Sequence, residues 1–138
     1  MFRVMTCFVA EGVITDRDTG QVSVFGLLEN LQAESYPLSI QKIAFFCLWA
    51  RAADDPQWAT CELSITLNGQ DIARQSIGID FQQHFHNRCK LLLDGFALSA
   101  PGTVVFRLAI PGHETAEWTI EASIKAPPEP VTRPDGTA

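Results

Sequence analysis

The sequence lacks most of the features that would assign it to a functional class. No apolar run approaches the roughly 20 residues a membrane helix needs. The first 13 residues, MFRVMTCFVAEGV, alternate in polarity and are broken by Glu11. They have neither a long apolar segment nor a small-residue cleavage site, so no signal peptide is read and a cytoplasmic protein is expected. The ten basic residues are scattered, and against 16 acids they leave a net charge of −6. With no basic cluster to follow a phosphate backbone, nucleic-acid binding is disfavoured. The four cysteines, at 7, 47, 61 and 89, include no C-x-x-C pair, so a structural zinc site is weakly supported. Each cysteine lies in an apolar strand-like run, which reads as a small buried hydrophobe; a disulfide such as Cys7–Cys89 would require an oxidising compartment. There is no G-x-S-x-G elbow, no phosphate-binding glycine loop and no EF-hand, and no cofactor is expected.

What is present is period-two alternation. Val104, Phe106, Leu108 and Ile110 fall on one face of a strand, with Thr103, Val105, Arg107 and Ala109 on the other. Trp118, Ile120, Ala122 and Ile124 alternate in the same way with Glu117, Thr119, Glu121 and Ser123. Successive strand side chains point to opposite sides, so both runs read as half-buried strands. Between them, Pro111-Gly112 suits a type II turn, because proline presets the first φ and glycine accepts a positive second one. Asn68-Gly69 marks a second hairpin of type I′.

Other strands are expected over residues 2–13, 21–31, 40–50, 58–67, 70–81 and 89–98. In the first, Phe2, Val4, Thr6, Phe8 and Ala10 are expected to share a face opposite Met5, Cys7 and Val9. Gly26 inside the second suggests a bulge or a close backbone approach. About eight strands with turn signals between them and no convincing helix point to an all-β antiparallel β-sandwich, immunoglobulin-like or similar, rather than a barrel. Residues 1–125 would form this one domain. Residues 126–138 hold four of the eight prolines and read as a disordered Pro-rich tail.

Two segments carry a resemblance. Near the start, Cys7 is followed by GQVSVFGLLENL (residues 20–31), and near the end comes GFALSAPGTVVFRLAIPGHETAEWTIEA (residues 95–122). Together they resemble an uncharacterised family of small bacterial β-sandwich proteins. In that family an early cysteine precedes an acidic residue, a Gly-Lys-like turn and a Gly-containing apolar strand, and a Gly-x-Tyr-x-Phe-x-Leu hairpin leads to the C-terminus. Here Gln21 replaces the usual basic residue, and Val104 stands where an aromatic is often found. The resemblance implies a cytoplasmic bacterial domain of unknown function and transfers no catalytic residue.

Three local patterns compete for a site. His84 and His86, in QQHFHN, would point the same way from an extended segment, and two imidazoles on one face chelate zinc or copper; Asp80 or Cys89 could add a third ligand. The competing reading is a polar loop with solvated histidines. Trp58, beside Asp54-Asp55-Pro56, is the tryptophan expected to be exposed and could stack on a sugar, whereas Trp118 is in phase with the core. A Cys89–His86–Asn87 nucleophile is disfavoured, because Cys89 and His86 are out of phase. His113 and Glu114, at an exposed turn, lack the burial that tunes acid–base groups.

With no catalytic constellation, the expectation is a non-enzymatic protein-interaction or structural module that self-associates as a homo-oligomer. The runs over residues 2–13 and 40–50 are apolar on both faces, more than a one-sided core needs. The alternatives are a metal- or small-ligand-binding protein centred on His84 and His86, and a glycan-binding module using Trp58.

Overall fold

A computed structural model describes residues 1–126; the proposed tail, apart from Ala126, lies outside the described residues. The strands are β1 (Arg3–Thr15), β2 (Val22–Leu27), β3 (Asn30–Ala33), β4 (Leu38–Ala50), β5 (Trp58–Leu67), β6 (Gln70–Asp80), β7 (His86–Leu98), β8 (Gly102–Ala109) and β9 (Ala116–Ile124). They form two sheets, ordered β2-β1-β4-β7 and β3-β9-β8-β5-β6. One hydrophobic core, with buried side chains from both sheets, lies between them. The described residues are therefore all-β in two packed layers, with nine strands rather than eight. The strand order supports a sandwich without fixing it as immunoglobulin-like.

The expected strand phases hold where turns pin the register. Cys61, Leu63, Ile65 and Leu67 of β5 are buried, as are Val104, Phe106, Leu108 and Ile110. Phe106 meets the rings of Phe45 and Phe96 from the opposite sheet edge-on, at 5.7 and 6.1 Å. Asn68 and Gly69 have φ of 51° and 83°, as the type I′ turn requires. At the other hairpin, Gly112 has φ 81° and His113 donates its N–H to the Ile110 carbonyl at 3.0 Å, which closes the expected Pro-Gly turn. Along β9 the phase holds for Ile120 and Ala122 but not at the end, where Ile124 is exposed.

Three expectations are corrected. First, the run over residues 21–31 is two strands. β2 pairs with β1, the chain crosses at Leu28-Glu29, and β3 pairs in parallel with β9 in the other sheet. Second, a bulge between Val4 and Thr6 shifts the phase of β1 by one. Phe2 and Val4 face the core before it, and Cys7 and Val9 face the core after it, while Phe8 turns to the outer side. An extra residue in one strand reverses every later side chain. Third, the second apolar face of β4 is covered by the chain itself. Ala44 and Phe46, on the outer side of β4, pack with Val13, Phe8, Val22 and Leu48. The far half of the β1–β2 hairpin thus folds back over its own sheet, and Arg88 of β7 fastens it by donating to the Gly20 carbonyl at 2.7 Å.

Candidate functional site

The β1–β2 hairpin is built from its turn outward. The Asp16 carboxylate accepts N–H bonds from Asp18 at 2.9 Å and Thr19 at 2.7 Å, and Gly20 has φ 71°. These bonds to the charged form hold the Asp16 carboxyl below the usual carboxylate range. Further along, the strands keep one register through Glu11 and Gly26, and Gly26, with φ 66°, lies where an added Cβ would come within 2.6 Å of the Glu11 side chain, a close approach that suits glycine. On the opposing pair the Phe25 ring lies over Gly12, where an added Cβ would come within 2.0 Å of it.

The result is an outer strand with one unused edge. Among the described residues β2 pairs only with β1. It carries no charge from Gln21 to Leu28, and Val24, Phe25 and Leu27 are 41%, 51% and 49% exposed. The other outer strands are protected. β6 carries Asp71 and Arg74, β7 carries Arg88, Lys90 and Asp94, and β3 has only four residues. Charge and shortness are the usual defences of a sheet edge against pairing with another chain.

His84 and His86 sit on a different part of the surface. Both line a 690 Å³ depression with Asp80, Phe81, Phe85 and Arg88, and both are exposed. His86 opens β7, but His84 lies in the preceding loop, where Gln82 and Gln83 have φ of 52° and 67°. Strand alternation does not extend through such a loop, so it does not place the two imidazoles on one face. Among the described residues no three His, Cys, Asp or Glu side chains are grouped to hold a metal ion. The loop is held instead by Arg51, which donates Nε–H to the His84 carbonyl at 2.8 Å and stacks over Phe85, 5.0 Å from the ring centre.

Trp58 is 58% exposed at the start of β5, with its indole against Gly78 of β6. The adjoining sheet surface holds a 510 Å³ depression lined by polar side chains including Thr60, Glu62, Ser64, Arg74 and Ser76. Trp118 is half-buried and donates its indole N–H to the Leu28 carbonyl at 2.7 Å, which holds the crossing between the sheets. His113 also has a structural role: its Nδ1 accepts the Phe2 N–H at 2.7 Å and its ring stacks on Phe2.

A protein-family model described as a family of unknown function, DUF6941, matches residues 6–123. The chain belongs to that family. No curated protein matches it. The span shared with DUF6941 takes in β2, Trp58, His84, His86 and all four cysteines.

The structure also gathers the cysteines of this DUF6941 member, which sequence spacing kept apart. Cys7, Cys47 and Cys89 are register partners across the adjacent strands β1, β4 and β7. Cys61 faces the same core from β5. Burial pushes the Cys89 thiol up to about 11 and the Cys61 thiol up to about 12. Cys47 is pushed higher still, chiefly by burial and then by the neighbouring sulfurs of Cys7, Cys89 and Cys61. Register between strands 40 residues apart leaves no mark in spacing, so this row was not legible beforehand.

Proposed function

We propose that this protein is a non-enzymatic module that acts through protein contacts and pairs with a second copy of itself along the free edge of β2. The observation that carries this reading is the uncharged, exposed β2 edge beside three outer strands that are charged or short. An unpaired ladder of N–H and C=O groups accepts an extended strand, and two copies of one edge meet antiparallel about a two-fold axis. Ile14, Met5 and Leu92 add exposed apolar surface on the same sheet.

The test is mass in solution by light scattering on the full chain and on Val24→Lys and Phe25→Lys. The wild type should be a discrete dimer, and both variants monomers with unchanged circular dichroism. A wild-type monomer at about 100 µM, a concentration at which contacts of micromolar affinity would be filled, refutes it.

A second reading rests on Trp58. A flat, exposed indole beside a polar depression is suited to stacking on a sugar ring. Quenching of fluorescence by oligosaccharides, lost in Trp58→Ala, would support it. The His84/His86 reading is tested by the metal content of purified protein.

A further inference from the structure

We propose that Cys7 and Cys47 form a reversible cross-strand disulfide, closed by a peroxide or by exchange with a small-molecule disulfide and reopened by a dithiol.

The backbone selects this pair. In an antiparallel sheet, directly opposed residues alternate between hydrogen-bonded pairs, with Cα atoms about 5.5 Å apart, and non-hydrogen-bonded pairs, about 4.5 Å apart with closer side chains. Arg51 donates its N–H to the Phe85 carbonyl at 2.9 Å, in the register that aligns Ala50 with His86 and Cys47 with Cys89. The odd-numbered residues at this end of β4 therefore turn their N–H and C=O groups toward β7. Cys47–Cys89 is a hydrogen-bonded pair, and Cys7–Cys47 is a non-hydrogen-bonded one. β1 gives the same answer independently. Leu28 donates to the Val9 carbonyl at 2.9 Å, so the odd residues of β1 turn toward β2 and away from β4.

Cys7 and Cys47 thus hold the close position, within the Cα range of about 4.4–6.8 Å that a disulfide spans. Cys61 lies on the facing sheet, and stacked sheets are about 10 Å apart, beyond that range.

Exposure sets the order of events. Cys47 is fully buried, whereas Cys7 is half-exposed, with its Sγ donating to the Glu117 carbonyl at 3.4 Å. The Cys7 thiolate attacks one peroxide oxygen, breaking the O–O bond and giving a sulfenic acid and hydroxide. The Cys47 sulfur then displaces hydroxide from the Cys7 sulfur as the S–S bond forms. The two thiols lose two electrons and two protons, and the peroxide leaves as two waters when it is hydrogen peroxide. With a small disulfide, Cys7 forms the mixed disulfide and expels a thiolate, and Cys47 expels the second.

The experiment treats the full chain in its native state with hydrogen peroxide or oxidised glutathione, blocks remaining thiols, and maps linked peptides by mass spectrometry. The thiol count should fall from four to two. Mass should fall by about 2 Da, and one Cys7–Cys47 peptide should appear that a dithiol reverses. The oxidised form should melt roughly 5–10 °C higher, because the bond closes a long loop. Cys89→Ala and Cys61→Ala should keep the link. Linkage through Cys61 or Cys89, linkage between chains, oxygen addition without cross-linking, or retention of all four thiols would overturn the assignment.

Discussion

Phe106 gives the most direct test of how the two sheets are joined. It lies on β8, third of five strands in its sheet, with no exposed surface. Its ring meets Phe45 of β4 and Phe96 of β7 edge-on, so one side chain touches two strands of the facing sheet. Phe106→Ala removes the transfer free energy of the ring and leaves a cavity, a combination that costs about 3–5 kcal/mol. Two edge-to-face contacts, each worth about 0.5–1.5 kcal/mol beyond area, place this site toward the upper end, about 4–5 kcal/mol. With a urea slope of about 2 kcal/mol per molar, the midpoint should fall by roughly 2 M. Phe106→Leu, which keeps most of the volume but loses both ring contacts, should cost about 1–2 kcal/mol. Phe106→Asp should not fold, since the carboxylate would have neither water nor a partner. The assay is urea unfolding followed by far-ultraviolet circular dichroism. A loss under about 1 kcal/mol for Phe106→Ala, or a cooperatively melting Phe106→Asp, would mean that this face of β8 does not meet the opposite sheet.

Asn68 does more than supply a positive φ. Its side chain accepts from the Thr103 N–H at 3.0 Å and donates to the Pro101 carbonyl at 3.2 Å, tying the β5–β6 turn to the start of β8. Asn68→Gly keeps the turn but loses both bonds, and should cost about 1–2 kcal/mol in chemical denaturation; an unchanged midpoint would show that the ties contribute nothing. Stability should fall at both ends of the pH scale. The Asp16 carboxyl is depressed from 3.8, so its contribution is present above that value and lost as pH falls below it; Asp16→Asn should flatten the acid limb of a melting-temperature profile. The Cys61 and Cys89 thiols are raised from 9.0, so folding holds their protons and stability should decline from pH 9 upward; Cys61→Ala should make that decline shallower.

The parts of the fold legible in the sequence were those with local causes. Asn68-Gly69 and Pro111-Gly112 fix two hairpins through φ alone, and the alternation of β5 and β8 follows directly from their one-sided burial. The division of residues 21–31 was not legible. Val22 to Leu28 carries no charge and reads as one run with Leu31, and the crossing at Leu28-Glu29 depends on β9, whose pairing partner cannot be found from spacing. The phase of β1 was lost at its bulge, because an unpaired residue leaves no compositional mark in a strand apolar on both faces. The double-sided apolarity of β4, read as a sign of an interface, belongs instead to the hairpin folded over Ala44 and Phe46. The exposed edge of β2 was hidden for a related reason: the sequence shows an uncharged strand but not whether its neighbour is one strand or two. The consecutive left-handed residues Gln82 and Gln83, which set a turn just before His84, left no mark in the sequence either.

The parallel union of β3 with β9 also has a consequence in time. β1–β2, β5–β6 and β8–β9 are local hairpins, but β1–β4, β4–β7, β5–β8 and above all β3–β9 join distant segments. Such long-range pairing slows folding, because loop-closure entropy is lost before the contacts form. On a ribosome adding about 5–20 residues per second, β9 follows β3 by roughly 5–20 s. Throughout that interval the five-stranded sheet is incomplete, while the uncharged β2 edge has already emerged. Under the proposed β2 pairing, a nascent chain presents its pairing strand well before its last one, and crowded synthesis would bring neighbouring copies together at β2.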